Sequence, residues 1–118
     1  MALQSSRQLL FEPMNLLLEL QRLFPDFVDE TLVEDIRSGD ASLHTVMMKF
    51  ASSFDAKTAN PSQLAGLATL IDLCIAVPDR LENAIGTCFL EHLHQIDRQK
   101  TLLKFLSPGV LTYLRFHN

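Results

Sequence analysis

The chain contains four histidines and two cysteines, the residue types most often used as metal ligands, nucleophiles and proton carriers. His92 and His94 stand two positions apart in a stretch with helical periodicity. Side chains at positions i and i+2 of a helix point to nearly opposite sides, whereas zinc-binding helices use spacings such as i, i+4. We therefore expect no metal site here, with one of these histidines exposed and the other half-buried.

The remaining histidines and the cysteines are isolated from one another in the sequence. His44 and His117 have no potential metal ligand at a suitable spacing, and we expect both at the surface. Cys74 and Cys88 lie in apolar, helix-like stretches, so we interpret them as buried, inert thiols, with a disulfide as the alternative. Because the chain also lacks C-x-x-C, a glycine-rich phosphate loop and G-x-S-x-G, we expect neither catalysis nor a cofactor.

Asp72 is the one acidic residue in the most apolar segment, Leu64 to Val77. A carboxylate that is buried there needs a partner. The favoured interpretation is a structural tie to an arginine or a free backbone end in the core. The functional alternative is a carboxylate at the floor of a groove.

Negative charge is concentrated in the first half of the chain. Residues 1–60 carry nine acids and five bases, and residues 61–118 carry five of each, so the net charge of −4 arises in the first half. Nucleic-acid-binding proteins are usually basic, so DNA, RNA and anionic membranes are poor candidate partners. A basic protein is the partner that this charge favours.

The acids of this half define a candidate partner-binding surface. Asp26, predicted as a helix N-cap, and the acids just after it complement the helix dipole, which is a structural role. Glu34 and Asp35 come later in the same helix, where acids oppose the dipole. A solvated face and a protein-binding face explain them equally well. The candidate residues are Asp26, Asp29, Glu30, Glu34, Asp35 and Asp40.

The elements that position these residues are all predicted to be helical, because helical periodicity runs through almost the whole chain and no segment alternates like a strand. Prolines and caps divide the chain into about seven helices, or eight when the short first one is counted. The predicted helices are a short one to about Phe11, Pro13–Leu23, one opening at Asp26 and closed by Gly39, Leu43–Ser53, Ser62–Val77, Asp79 to about Gln95, about Arg98–Leu106, and Gly109 to about Phe116.

A chain of 118 residues with 47% apolar and 20% charged residues predicts a single all-α domain spanning residues 1–118. Short connections predict that neighbouring helices pack as antiparallel hairpins, which could stack like an α-solenoid, although no strict repeat is present. The N-terminus does not resemble a signal peptide, and the longest apolar stretch is too short for a bilayer. We expect a cytoplasmic protein.

The stretch from Leu81 to Leu93 resembles a pattern of small all-helical immunity proteins of bacterial contact-dependent growth inhibition and polymorphic toxin systems. The pattern is an asparagine, a run of small residues and then Cys-Phe-Leu-Glu, here LENAIGTCFLEHL. Leu23-Phe24-Pro25-Asp26-Phe27 and Phe105-Leu106-Ser107-Pro108 are also similar to that group. The resemblance implies a cytosolic protein that binds a cognate toxin domain, often a nuclease, and blocks its active site or substrate surface. It transfers no contact residues.

This role agrees with the charge, because a nuclease cleft is basic and an acidic inhibitor gains association rate from steering. We expect a monomer that forms a one-to-one complex. The alternative is a non-enzymatic helical scaffold or adaptor that forms a homodimer through an exposed apolar stripe, with Leu3, Leu9, Leu10 and Phe11 as candidates. An enzyme, the third hypothesis, would need a polar pocket around Asp72 and a histidine.

Overall fold

The structure is a computed structural model that describes the backbone of residues 7–117 and the side chains of residues 7–116. All regular structure in this range is helical, which confirms the all-α prediction. Residues 7–9 form a helical turn, and short 3-10 turns cover Leu90–His92 and Leu103–Phe105. The α-helices of the described range are α1 (Pro13–Leu23), α2 (Glu30–Arg37), α3 (Leu43–Ser53), α4 (Pro61–Cys74), α5 (Arg80–Cys88), α6 (Leu93–Ile96) and α7 (Pro108–His117).

Local capping signals account for most helix starts. Ser42 and Asn60 each form a reciprocal capping box at the start of α3 and α4. The predicted start of α2 at Asp26 is wrong. Asp26 lies in a turn, and it is the carboxylate of Asp29 that accepts the N–H of Leu32, at 2.9 Å. Helix α2 therefore begins at Glu30, four residues after Asp26.

Two longer predicted helices differ from the structure. The helix expected from Asp79 to Gln95 breaks at Phe89, whose backbone has φ −127° and ψ −60° and whose ring is fully buried. The helix expected from Arg98 to Leu106 is reduced to a turn followed by the 3-10 segment Leu103–Phe105. In addition, α4 ends at Cys74 and does not reach Val77. At Phe89, packing against the distant rings of Phe50 and Phe54 overrides the local helical periodicity.

The helices surround one shared core. The most extensive helix contact joins α3 to α5, which are not neighbours in sequence, while α1 contacts α2, α3 and α4. At the centre, the ring of Phe50 lies 5.3–5.7 Å from four other phenylalanine rings, an arrangement that fixes the loops before α2 and after α3. Those rings belong to Phe24, Phe27, Phe54 and Phe89.

Among the described residues, no helix combines the length and the apolar character that crossing a membrane requires. The predicted role of residues 1–6, including Leu3 of the apolar stripe, lies outside the described residues.

Candidate protein-binding surface

Helix α2 presents acidic residues on its outer side. Leu32 is buried, and Val33 and Ile36 are half-buried against the core. The opposite side carries Glu30 and Glu34, one turn apart and both exposed. Asp35 lies beside them and is half-buried. We call Glu30, Glu34 and Asp35 the acidic face of α2.

This face has little internal compensation. Arg37 lies near Glu34, with 3.8 Å between Nη1 and Oε1, and both side chains are largely exposed. Such a surface pair contributes little free energy and is screened by salt. The acidic face therefore keeps most of its negative potential for an approaching partner.

The three other predicted residues lie in different surroundings. Asp29 is committed to capping α2 through the N–H of Leu32. Asp40 is exposed after α2 and accepts a hydrogen bond from the Ser38 hydroxyl at 3.0 Å. Asp26 is exposed in the turn before α2 and lines a small cleft there. The six predicted residues thus lie in one continuous chain segment. Within it, Glu34 is exposed and lies late in α2, where the helix dipole does not favour a carboxylate.

The cleft at Asp26 contains a second carboxylate, Asp55, which lies in the loop between α3 and α4. The cleft has a volume of about 160 Å³ and lies between the loop that precedes α2 and the loop that follows α3. No sequence signal connects these two aspartates, because their proximity depends on how the two loops dock on the phenylalanine cluster. The residues that line the cleft are Phe24, Asp26, Phe27, Phe50, Ser53, Phe54, Asp55, Thr58, Ala59 and Gln63.

A larger, more apolar groove runs between α1 and α4. Its volume is about 590 Å³, and Leu70, Leu73 and Ala76 contribute its apolar wall. Glu19 and Arg22 border it and form an ion pair with each other at 2.5 Å. The groove is a surface where another chain could pack.

Of the described residues in the predicted apolar stripe at the N-terminus, Leu9, Leu10 and Phe11, one is exposed. Leu9 is 59% exposed, whereas Leu10 is buried. Phe11 is half-buried, with the guanidinium groups of Arg7 and Arg80 each 5.5 Å from the centre of its ring. Leu18 of α1, 54% exposed, extends the apolar surface beside Leu9.

Asp72 is exposed, so the expected burial of this carboxylate is wrong. It accepts a hydrogen bond from the Ser107 hydroxyl at 2.7 Å, and that hydroxyl accepts the N–H of Val110 at the start of α7. The structural tie exists, but it joins α4 to the cap of α7 at the surface. Asp72 also lines the groove between α1 and α4.

The histidines differ from their predicted environments. His92 and His94 are both exposed, and His44 is half-buried with its Nε2 atom 3.3 Å from the side-chain nitrogen of Asn83. The side chain of His117 lies outside the described residues. Within the described part of the chain, no three His, Cys, Asp or Glu side chains converge in a way that could hold a metal ion.

The two cysteines are free thiols in different environments. Cys74 is fully buried, and burial raises its pKa to about 12. Cys88 is half-buried, which corrects the expectation of full burial, and burial together with the charge of Glu91 raises its pKa. A thiol with a raised pKa carries little thiolate and is a poor nucleophile.

Comparison with protein-family models, curated proteins and solved structures finds no match to this chain.

Proposed function

We propose that this chain is a cytoplasmic immunity protein that binds and neutralises a toxin domain with a basic, nuclease-like surface. The observation that carries the proposal is the acidic face of α2. Glu30 and Glu34 are exposed, hold no core contact and, in the case of Glu34, oppose the helix dipole. Residues that neither cap nor pack a helix are available for a partner.

The proposed mechanism is electrostatic capture followed by occlusion. A nuclease surface that attracts a polyanion also attracts an acidic protein, and complementary charge raises the association rate. Once docked, a rigid helical domain prevents nucleic acid from entering the same basic surface. The chain needs no catalytic group for this role.

The test first looks for a toxin reading frame beside the gene for this chain and then uses its toxin domain as the binding partner. The variant Glu30→Lys/Glu34→Lys is compared with Glu12→Lys/Glu91→Lys, which makes the same change in net charge at exposed positions away from α2. We expect the α2 variant to reduce the association rate about tenfold or more at low salt, and the control to reduce it much less. Stopped-flow binding at low and high salt measures this difference.

Protection of cells that express the toxin domain gives the second readout. The α2 variant should lose protection while the control keeps it. Equal association rates for the two variants, or no binding by the wild-type chain, would overturn the proposal.

A second candidate is a non-enzymatic scaffold that forms a homodimer. The observation that favours it is the apolar surface formed by Leu9 and Leu18, each more than half exposed, beside the groove between α1 and α4. Light scattering across a concentration series distinguishes the two candidates. A stable dimer that becomes monomeric in Leu9→Glu/Leu18→Glu supports the scaffold, whereas a monomer at all concentrations removes it.

A further inference from the structure

We propose that the small cleft lined by Asp26 and Asp55 is a binding pocket for an arginine side chain of a protein partner. This inference builds on the proposed function, because it assigns part of the contact with a basic partner. It adds a pocket with a defined ligand chemistry, which the acidic face of α2 lacks.

The free hydrogen-bond acceptors of the cleft favour a ligand that donates hydrogen bonds. The hydroxyl of Ser53 donates to the carbonyl of Phe50 at 3.1 Å, and that of Thr58 donates to the carbonyl of Asp55 at 3.2 Å. The amide nitrogen of Gln63 donates to the carbonyl of Leu23 at 3.1 Å. The polar side chains around the two aspartates therefore direct donors to the backbone, and the cleft has carboxylate oxygens left for a ligand.

The carboxylate of Asp55 is held in one orientation by its own loop. Its Oδ1 atom accepts the backbone N–H of Lys57 at 2.9 Å, which orients the carboxylate within the loop. Asp26 is exposed on the other side of the cleft. No lysine, arginine or histidine is among the residues that line it. A cationic side chain inside the cleft would thus meet two acidic groups, while Lys57 and Arg98 line a neighbouring cleft that Asp55 also borders.

The aromatic walls favour a guanidinium over other cations. Phe24, Phe27, Phe50 and Phe54 line the cleft, and Phe24 is only half-buried. A planar guanidinium can lie against an aromatic ring while it donates to carboxylates in its plane. An ammonium is more strongly hydrated and has no planar surface for stacking.

The size and place of the cleft also fit a side chain. Pockets for drug-sized ligands and cofactors measure roughly 300–1,000 Å³. A volume of about 160 Å³ is too small for such a molecule, but it admits the end of one side chain. Asp26 and Phe27 precede the N-cap of α2 by only a few residues, so the cleft adjoins the acidic face of α2.

The test needs no toxin, so its outcome is separate from that of the proposed function. The ¹⁵N-labelled chain is titrated with Nα-acetyl-argininamide, and the backbone amide signals are followed by NMR. The uncharged probe is Nα-acetyl-citrullinamide, and Nα-acetyl-lysinamide tests the choice of cation. We expect saturable shifts centred on residues 24–27 and 53–58 with the arginine probe and weaker binding of the other two.

Charge-neutral variants connect the binding to the carboxylates. Asp26→Asn/Asp55→Asn preserves side-chain shape and the Oδ1 acceptor of the loop, and should weaken arginine binding about fivefold. The control Glu12→Gln/Glu91→Gln loses the same charge at exposed positions outside the cleft and should bind like wild type. Absent or displaced shifts, equal loss in both variants, or equal affinity for the lysine probe would overturn the assignment.

If the arginine probe binds as expected but no toxin domain does, the pocket stands and the immunity function fails. If the toxin domain binds through α2 and the arginine probe leaves the cleft signals unchanged, the function stands and the pocket fails.

Discussion

The guanidinium of Arg7 donates to both carboxylate oxygens of Asp79, at 2.8 and 2.9 Å. The same side chain donates to the carbonyls of Leu73, Cys74 and Val77, at and beyond the end of α4. Asp79 is itself the N-cap of α5. One arginine near the start of the chain therefore connects the end of one core helix to the beginning of the next.

Removing this side chain should destabilise the fold. We expect Arg7→Ala to lower the free energy of unfolding by about 2–3 kcal/mol, because several acceptors lose a charge-assisted donor. Arg7→Lys should recover only part of the loss, since an ammonium cannot match the bidentate geometry. Urea unfolding measures both, with the exposed Arg98→Ala as a control expected within about 0.5 kcal/mol of wild type. An unchanged midpoint for Arg7→Ala would remove this role.

The Arg7–Asp79 pair also predicts a pH dependence. The hydrogen bond from Arg7 lowers the pKa of Asp79, burial opposes this, and the N–H groups of Glu82 and Leu81 lower the pKa further. A carboxylate with a lowered folded-state pKa stabilises the fold above its unfolded value, about 3.9, and this contribution is lost as pH falls through the folded value.

The stability difference between wild type and Asp79→Asn, which keeps a capping oxygen, should therefore be largest near neutral pH. It should shrink as pH falls below about 4. Urea unfolding at a series of pH values measures it. A difference that stays constant from pH 7 into the acid range would contradict the lowered pKa.

The parts of the fold that depend on adjacent residues could be predicted from the sequence. Ser42 and Asn60 cap their helices because each capping box is a contact across three residues. Gly39 has φ +84° just after α2, as its predicted role in ending that helix requires. The exposure of Asp72 also had a local signal, because Ala65, Thr69 and Asp72 follow helical spacing along one side of α4.

The parts that depend on distant contacts could not be predicted in this way. The sequence around Phe89 is periodic through the position where α5 ends, and the break depends on packing against Phe50 and Phe54. The cleft requires Asp26 and Asp55 to come together from loops separated by two helices. The position of the acidic face of α2 could be predicted from the sequence, because all of its residues lie within one helix.

Asp97 is the buried carboxylate that the sequence did not reveal. It is 4% exposed, and its two oxygens accept the N–H groups of Thr101 and Leu103, each at 2.9 Å. We expect Asp97→Ala to lower the free energy of unfolding by about 2–3 kcal/mol, because two backbone donors lose a charged acceptor.

Asp97→Asn should give an intermediate loss, since its amide has one acceptor oxygen and presents a nitrogen to the other donor. The exposed Asp40→Ala provides the control, with an expected change of less than about 0.5 kcal/mol. Thermal and urea unfolding measure all three variants. A loss at Asp97 no larger than that at Asp40 would show that the turn does not need this carboxylate.

Tyr113 provides a spectroscopic probe, because the chain has one tyrosine and no tryptophan. Burial, the hydrogen bond to Glu82 and the charges of Glu82 and Glu91 all raise its pKa. A raised folded-state pKa stabilises the fold below the unfolded value of about 10, and this contribution is lost as pH rises through the folded value. Tyrosinate absorbance near 295 nm should therefore appear at higher pH in the folded chain than in urea. Glu82→Gln should bring the two midpoints closer, and coincident midpoints in wild type would contradict the environment described.

The close approach of Tyr113 should require a glycine at position 86 of α5. A Cβ atom at position 86 would overlap the tyrosine hydroxyl, which donates to Glu82. Alanine stabilises a helix by about 1 kcal/mol relative to glycine. If Gly86→Ala nevertheless destabilises the fold, the cost of the overlap with Tyr113 exceeds this gain in helix stability. We expect a net loss of about 1–3 kcal/mol, typical of overpacking. In the Tyr113→Phe background the hydroxyl is absent, and Gly86→Ala should become neutral or stabilising. A double-mutant cycle by urea unfolding measures this coupling, and an equal loss in both backgrounds would place the constraint on residue 86 elsewhere.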